Sequence, residues 1–200
     1  MQPTPVTLNG QRVRLEPLAQ THAEDLFAVG AETVIWDYLS RRAPDTLAEM
    51  RTIVESALEE ATQGVRLPFA IVERSSGRAV GSTSYLDLAP AHRRIEIGWT
   101  WLGAPARRTP INTECKYLLL QHAFATLDCG RVQLKTDGRN LRSQAAIERL
   151  GAVKEGVLRQ HMVMPDGYVR DTVMYSIVAA EWPAVKNRLE HWLNSPPAAS

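Results

Sequence analysis

Two adjacent arginines, Arg107 and Arg108, lie between a predicted strand over residues 95–102 and a predicted helix over residues 111–127. The first backbone N–H groups of a helix have no intrahelical partner, and the helix dipole is positive at that end. A guanidinium group binds phosphate oxygens through parallel hydrogen bonds. This strand–turn–helix order therefore predicts a phosphate-binding site at the helix start. The alternative is that both arginines are solvated charges on a surface loop.

A second cluster of polar residues follows the next predicted strand, residues 131–136. Asn140 and Ser143 begin a short predicted helix that ends at Gly151. Their side chains can hydrogen-bond to the amide groups of a ligand. Asn is also a favourable N-cap residue, so Asn140 could cap this helix without any ligand.

The arginine loop and the second polar cluster resemble the acetyl-CoA-binding core of the GNAT N-acetyltransferases. The closer resemblance is to the branch of RimJ/RimL-type enzymes, which acetylate protein N-termini. The family's pyrophosphate loop reads Gln/Arg-x-x-Gly-x-Gly/Ala, whereas residues 107–112 read RRTPIN, so Pro110 and Asn112 replace both small residues. Pro110 has no N–H to donate, and a hydrogen bond to a charged group contributes about 1.5–3 kcal/mol. The resemblance implies acetyl-CoA as the cosubstrate and these cofactor-binding residues: Trp101, Leu102, Arg107, Arg108, Thr109, Ile111, Asn112, Asn140 and Ser143.

Glu96 is the candidate general base. It stands in the middle of the strand that precedes the loop, and strict alternation places its side chain opposite the neighbouring isoleucines. A carboxylate in this position can accept a proton from an attacking amine. The alternative is a salt bridge with Arg93, Arg94 or a residue of a neighbouring strand. His161, on a later predicted strand, is the second candidate base.

The group that would assist the leaving thiolate is not the usual one. Many GNAT enzymes carry a Tyr seven residues after the motif Asn, and this chain has Ile147 at that position. By the resemblance, Ser143 is the second candidate catalytic residue. Its hydroxyl is expected to donate a hydrogen bond to the developing thiolate charge.

The reaction implied by the resemblance is direct attack of a neutral amine on the thioester carbonyl. Reference pKa values make a Lys side chain neutral in only about one molecule in 2,500 at pH 7, and an α-amine in roughly one in ten. A site with one carboxylate and no family Tyr therefore fits an α-amine, or another amine of low pKa, better than a lysine. The carbonyl is expected to meet a backbone N–H where residues 97–101 splay away from residues 131–136. Gly98 would allow the local bulge that this needs.

Strands mixed with segregated helices predict an α+β, or mixed α/β, architecture. The resemblance implies a strongly twisted, mostly antiparallel sheet of six or seven strands flanked by helices. In the strand before the loop, alternation predicts one face with Ile95, Ile97, Trp99 and Trp101, and the other with Glu96, Gly98 and Thr100. Residues 1–194 are predicted to form a single acyltransferase domain, and residues 195–200 a disordered tail.

The composition is that of an ordinary globular protein. The chain has 200 residues with 44% hydrophobic and 22% charged residues, and its net charge of +1 gives no global field that favours nucleic acid or an anionic membrane. Its 2 cysteines are too few for a disulfide framework or a metal site, and a reduced cytoplasmic setting follows. The expected partners are acetyl-CoA and an amine, and a homodimer through edge strands or the C-terminal helix is compatible with the sequence.

Three functions remain open from the sequence. The first is transfer of acetyl from acetyl-CoA to a protein N-terminus or a small primary amine. The second is a non-catalytic acyl-CoA-binding or scaffold protein, because the pyrophosphate loop is degenerate. The third is a detoxifying acetyltransferase for a polyamine or antibiotic. Its acidic cluster would be Glu49, Glu55, Glu59 and Glu60, which is more simply a solvated helix face.

Overall fold

The computed structural model describes residues 3–195, and a single eight-stranded sheet runs through them. Seven of the eight strands have five or more residues, and the first has only two. The strands are β1 Leu8–Asn9, β2 Val13–Pro17, β3 Arg66–Glu73, β4 Ala79–Ala89, β5 Arg94–Leu102, β6 Arg131–Asp137, β7 Val153–Val163 and β8 Val169–Val178.

The sheet confirms the predicted mixed architecture. Its strand order is β1-β2-β3-β4-β5-β6-β8-β7, and β5–β6 is the parallel pair among otherwise antiparallel pairs of the described strands. It has one strand more than the six or seven expected, because Leu8–Asn9 folds back on β2 as a short edge strand. The sequence pattern predicts that the strand of His161 starts at Leu158, whereas β7 begins five residues earlier, at Val153. Almost all of β7 is exposed, so its sequence carries little alternation.

Helices cover the two faces of the sheet unequally. Two of them pack on β3 and β4 around Trp36, Met50 and Trp101, and the other three enclose the larger core on the opposite face. The face of β5, β6 and β8 that points away from this larger core carries polar side chains instead. The helices are α1 Ala23–Gly30, α2 Leu47–Thr62, α3 Ile111–Gln121, α4 Leu141–Leu150 and α5 Trp182–Asn194.

The long helix after the arginine loop is not uniform. Its α-helical part, α3, stops at Gln121, and residues His122–Thr126 form a π-helical turn. The buried ring of His122 stacks on Tyr85 with ring centroids 5.9 Å apart. Apolar periodicity alone does not reveal this widened turn, so the prediction of one regular helix over residues 111–127 was wrong at its end.

A bulge in β5 reverses the predicted alternation. Ser84 pairs with Gly98, and Ser82 pairs with Trp101, so β5 has one residue more than β4 between these pairs. Trp99 takes up the extra residue with φ of +48°, in the left-handed region. Trp101 therefore packs against Trp36 in the smaller core, on the face opposite Ile97. The bulge itself was predicted at Gly98, but its effect on the face of Trp101 was not.

The predicted helix starts differ slightly from those observed. Thr21 and Glu24 have the spacing of a capping box, which predicts a helix over residues 21–30. Residues 20–22 form a 3-10 turn instead, and α1 has no side-chain cap at its start, so this capping box is not formed. Of the predicted disordered tail, 195–200, only Ser195 lies within the described residues. The single domain over 1–194 stays a prediction. Within residues 3–195, no helix combines the length and the apolar character needed to cross a membrane.

Candidate active site

Strands β5 and β6 diverge, and a cavity opens between them. Their parallel pairing runs from Arg94↔Arg131 to Glu96↔Gln133 and stops there, although both strands continue. This is the splay that the sequence predicts. The cavity has a volume of about 1210 Å³. Eight of the nine residues predicted to bind the cofactor, together with Glu96, line it: Trp101, Leu102, Arg107, Arg108, Thr109, Asn112, Asn140 and Ser143.

Arg107 and Arg108 have different surroundings. Arg107 is held by the protein, because its Nε donates to the Leu102 carbonyl at 2.9 Å and its Nη2 lies 3.4 Å from Glu32 Oε2. The second distance is that of an ion pair, but the geometry is not that of a hydrogen bond. Arg108 is exposed, and its φ of +59° turns the backbone at the cavity edge. Arg108 is thus the arginine available to a ligand, whereas Arg107 also holds the loop.

The loop leaves several backbone donors unused at the start of α3. The sequence pattern predicts Thr109 as the N-cap and Pro110 as the first helical residue. The hydroxyl of Thr109 accepts the Ile111 N–H at 3.3 Å, and Pro110 has helical dihedral angles, so Thr109 acts as this cap although α3 begins at Ile111. Within the described residues, the N–H groups of Arg108, Thr109, Asn112 and Thr113 have no hydrogen-bond acceptor. These donors are available to a ligand at the helix start, where Pro110 itself has no N–H.

Ile111 is the predicted cofactor-binding residue that does not line the cavity. Its side chain is buried in the larger core. Only its backbone N–H points to the loop, and that group already donates to Thr109. A role for Ile111 in cofactor binding stays a prediction, and it would be confined to the backbone.

Asn140 caps α4 and also faces the cavity. Its Oδ1 accepts the Ser143 N–H at 3.0 Å, so the capping role expected without a ligand is present. The amide nitrogen of Asn140 and the hydroxyl of Ser143 have no partner among the described residues, and both side chains line the cavity. Gly151 ends α4 with φ of +102°, a conformation that requires glycine. The cap therefore does not exclude ligand binding by the same Asn.

Glu96 is 1% exposed and lies on the polar face of β5. One carboxylate oxygen, Oε2, accepts from Gln133 Nε2 at 3.1 Å and lies 3.1 Å from Lys135 Nζ. The predicted salt bridge to a neighbouring strand is therefore formed, with Lys135 and not with Arg93 or Arg94. The other oxygen, Oε1, is buried without any hydrogen-bond partner in the described residues. An unpaired carboxylate oxygen at a cavity wall can accept a proton or an N–H from a substrate.

The sequence interpretation missed a buried lysine at this site. Lys116 lies on α3, 7% exposed, and its Nζ donates to Thr100 Oγ1 at 2.6 Å. Thr100 Oγ1 is also 2.7 Å from Thr83 Oγ1, so this contact fastens the bulged part of β5 to α3. Burial lowers the pKa of the Lys116 ammonium. Because a lone lysine on an amphipathic helix normally points to solvent, nothing in the sequence distinguished it.

Three other candidates separate from one another in the structure. They are the second candidate base, His161, and two aromatic residues, Trp36 and Tyr38, whose place between the first two predicted helices makes them candidates to line a substrate pocket. His161 is exposed on β7, 3.1 Å from Thr172 Oγ1, and does not line the cavity. Trp36 packs in the smaller core and donates to the Gly30 carbonyl at 2.8 Å, whereas Tyr38 lines the cavity. Of these three residues, Tyr38 alone is placed to contact a substrate.

Comparison with known proteins agrees with this geometry. Residues 12–153 match the family model described as an acetyltransferase (GNAT) domain. The uncharacterized N-acetyltransferase YoaA of Bacillus subtilis (strain 168) is 27% identical over 174 residues, covering 86% of this chain and 96% of that protein. A GCN5-related N-acetyltransferase from Brucella melitensis superimposes with a TM-score of 0.93 at 33% identity, covering 100% of this chain and 92% of its own. Mycobacterium smegmatis RimJ, solved in complex with CoA-disulfide, has a TM-score of 0.81 at 23% identity, covering 94% of this chain and 95% of its own.

The chain belongs to the GNAT acetyltransferase family. The named relatives are N-acetyltransferases, and the protein is an N-acetyltransferase of this acetyl-CoA-using family. The RimJ and RimL structures, at 23% and 20% identity, share its fold. In residues 3–195, no group of His, Cys, Asp and Glu side chains has the arrangement of a metal site.

Gly98→Ala is expected to lower kcat about tenfold to 100-fold with little change in the KM for acetyl-CoA. A Cβ at position 98 would lie 2.9 Å from Glu96 Oε1 and 2.8 Å from Leu86 Cδ1, so the carboxylate must move. A displacement of about 1 Å in a catalytic group can cost about 100-fold in rate. Steady-state kinetics would measure this effect. Gly156→Ala is the matched control, because nothing lies within 4 Å of the added Cβ. Unchanged kcat in Gly98→Ala would show that the position of Glu96 does not matter.

Proposed function

We propose that the enzyme transfers acetyl from acetyl-CoA directly to a primary amine inside the cavity, with Glu96 as the general base. The observation that carries this proposal is the unpaired Oε1 of Glu96, on the wall of the cavity that also contains the arginine loop and the two polar residues of α4. The base and the cofactor-binding groups are thus within reach of one ligand.

The chemical step assigns a role to each group. The amine nitrogen attacks the thioester carbonyl carbon and gives a proton to Glu96, and the carbon–sulfur bond breaks as the C–N bond forms. The Ser143 hydroxyl donates a hydrogen bond to the departing thiolate, which then takes up a proton. Asn140 binds pantetheine amides through its free amide nitrogen. Arg108 and the unpaired N–H groups at the start of α3 bind phosphate oxygens.

A non-catalytic acyl-CoA-binding protein is the less favoured alternative. It was motivated by the substituted loop, but the loop retains unpaired N–H groups and an exposed arginine. Several relatives are also named as N-acetyltransferases. Isothermal titration with acetyl-CoA, followed by a thiol-release assay with an amine panel, separates the two. Binding with no release of thiol above hydrolysis from any amine would favour the scaffold, whereas no binding at millimolar acetyl-CoA would contradict both.

Arg108→Ala is expected to raise the KM for acetyl-CoA about tenfold and leave kcat nearly unchanged, the pattern of lost uniform binding. The difference from wild type should shrink as salt rises, because screening weakens the wild-type contact too. Arg107→Ala should in addition lower the melting temperature, since Arg107 Nε holds the Leu102 carbonyl. Arg159→Ala, on the exposed strand β7 outside the cavity, is the control. A double arginine variant that binds acetyl-CoA as tightly as wild type would remove the phosphate role of this loop.

A further inference from the structure

A buried arginine without an acidic partner lies on the wall of the cavity. Arg170, on β8, is 6% exposed. Its Nε donates to Thr172 Oγ1 at 3.1 Å and its Nη1 donates to the Tyr38 carbonyl at 3.4 Å. Within the described residues, no carboxylate lies within salt-bridge distance of Arg170, and its Nη2 has no acceptor. Removing a guanidinium charge from water without a counter-charge is costly, so the site is complementary to an anion.

The nearest candidate counter-ion is already occupied. Both carboxylate oxygens of Asp137, on β6, accept hydrogen bonds from the Arg139 guanidinium group, at 2.9 and 3.1 Å. Asp137 also accepts the backbone N–H of Arg139 at 2.8 Å. These bonds help to hold the pKa of Asp137 below its usual value against the opposing effect of burial. Burial lowers the pKa of Arg170, and the charges of Asp137 and Glu96 offset part of that effect. Asp137 thus acts on Arg170 only through space.

Arg170 and Glu96 share one face of the sheet. Glu96 contacts Lys135 on β6. Asp137 follows Lys135 by two residues on the same face of β6, which is about 7 Å by the rise of a strand. Asp137 pairs with Thr172, which Arg170 Nε contacts. Glu96 and Arg170 both line the cavity, and they are close enough for the charge of Glu96 to raise the pKa of Arg170. Among the described residues that line the cavity, only Glu96 is acidic, and every other charged residue is an arginine or a lysine.

We infer that the acceptor amine carries a carboxylate, which Arg170 binds while Glu96 receives the proton of the amine. This inference rests on the proposed acetyl transfer and defines its substrate class. A free amino acid and a peptide with an acidic residue next to its N-terminus both supply this chemistry. A polyamine or an aminoglycoside does not, because its additional positive charges would meet Arg170 and Lys135. The glutamates of α2 do not provide such a site either, since Glu60 pairs with Arg66 at 3.1 Å.

Matched pairs of amines test this inference in the thiol-release assay with acetyl-CoA. The small-molecule arm compares glycine, β-alanine and γ-aminobutyrate with their amides, and the peptide arm compares Gly-Asp-Gly amide with Gly-Asn-Gly amide. We expect at least one acid to exceed its neutral partner by about tenfold or more in kcat/KM. The arm that shows the preference identifies the source of the carboxylate. Equal rates for acid and amide in every pair would overturn the inference and leave the acetyl transfer intact.

Arg170→Gln is expected to abolish this preference, with the acid falling to the rate of its neutral partner. A merely structural role, in which Arg170 holds the Tyr38 segment, would lower both rates and leave their ratio unchanged. Arg170→Lys keeps the positive charge but not the planar guanidinium group, so the acid-to-amide ratio of kcat/KM should be intermediate. This variant also tests the inference if Arg170→Gln does not fold. Arg159→Gln, exposed on the adjacent strand, is the control with the same loss of charge.

A binding measurement separates failure of this inference from failure of the proposed function. Wild-type protein with coenzyme A is titrated with the N-acetylated acids and their N-acetylated amides. Tighter binding of an acid, lost in Arg170→Gln, would support the carboxylate site even if no amine turned over. Equal binding of acid and amide, in an enzyme that turns over amines, would overturn it.

Discussion

Replacing Glu96 by Gln is expected to lower kcat about 100-fold to 10,000-fold and to leave the KM for acetyl-CoA nearly constant. The substitution keeps the shape of the side chain and its contact with Gln133 but removes the proton acceptor, and general base catalysis contributes a factor of this size. Because the loss falls on the chemical step and not on cofactor binding, kcat and kcat/KM for the amine should fall together. Steady-state kinetics across the pH range would measure both, and the acidic limb of the wild-type profile should flatten in the variant.

The control for this substitution is Glu55→Gln, an exposed position on α2 that should have wild-type kinetics. Full activity of Glu96→Gln between about pH 6 and 9 would contradict the role of Glu96. His161 would not then be the simple replacement, because it is exposed on β7 and outside the cavity. The search would move instead to Tyr38, which also lines the cavity.

The sequence predicted the parts of the site that depend on local patterns. The arginine loop follows a strand and precedes a helix, and the cap of α4 is set by Asn140 and Gly151, so spacing along the chain was enough to find them. The divergence of β5 from β6 was also predicted, from the resemblance together with Gly98. These features need only short-range geometry, which a single sequence contains.

The features that the sequence interpretation missed depend on pairing across the sheet. Trp101 lies on the opposite face from the one predicted because one extra residue at Trp99 changes the register with β4. Arg170 reaches the polar face that also carries Glu96 only because β8 inserts between β6 and β7. Neither position follows from composition or periodicity, since register between distant strands is set by the folded sheet.

Two buried glutamates show why burial alone does not identify a catalytic residue. Glu96 is 1% exposed and Glu114 is 3% exposed. Both oxygens of Glu114 are used, because they accept the backbone N–H groups of Gln11, Arg12 and Val13, each at 2.8 Å. Glu96 leaves one oxygen unpaired at the cavity wall. The satisfied carboxylate is structural, and the unsatisfied one is available for chemistry.

Glu114→Ala is therefore expected to be among the most destabilising single changes outside the apolar core. It removes three charge-assisted hydrogen bonds and leaves three backbone donors without their acceptor, at a cost of about 3 kcal/mol or more. For a chain of this size that corresponds to a melting temperature about 6–12 °C lower. Thermal unfolding followed by circular dichroism would measure it, with Glu55→Ala on the exposed face of α2 as the control.

The same substitution should also weaken the cofactor site indirectly. Glu114 lies in the first turn of α3 and ties that turn to the β1–β2 hairpin, so it positions the helix start that the arginine loop enters. At a temperature where the variant is folded, the KM for acetyl-CoA should rise while kcat stays close to wild type. That is the reverse of the Glu96→Gln pattern, in which kcat is lost and the KM for acetyl-CoA stays nearly constant. A Glu114→Ala variant that melts within about 2 °C of wild type would show that water replaces the carboxylate at the hairpin, and that the hairpin does not hold α3 in place.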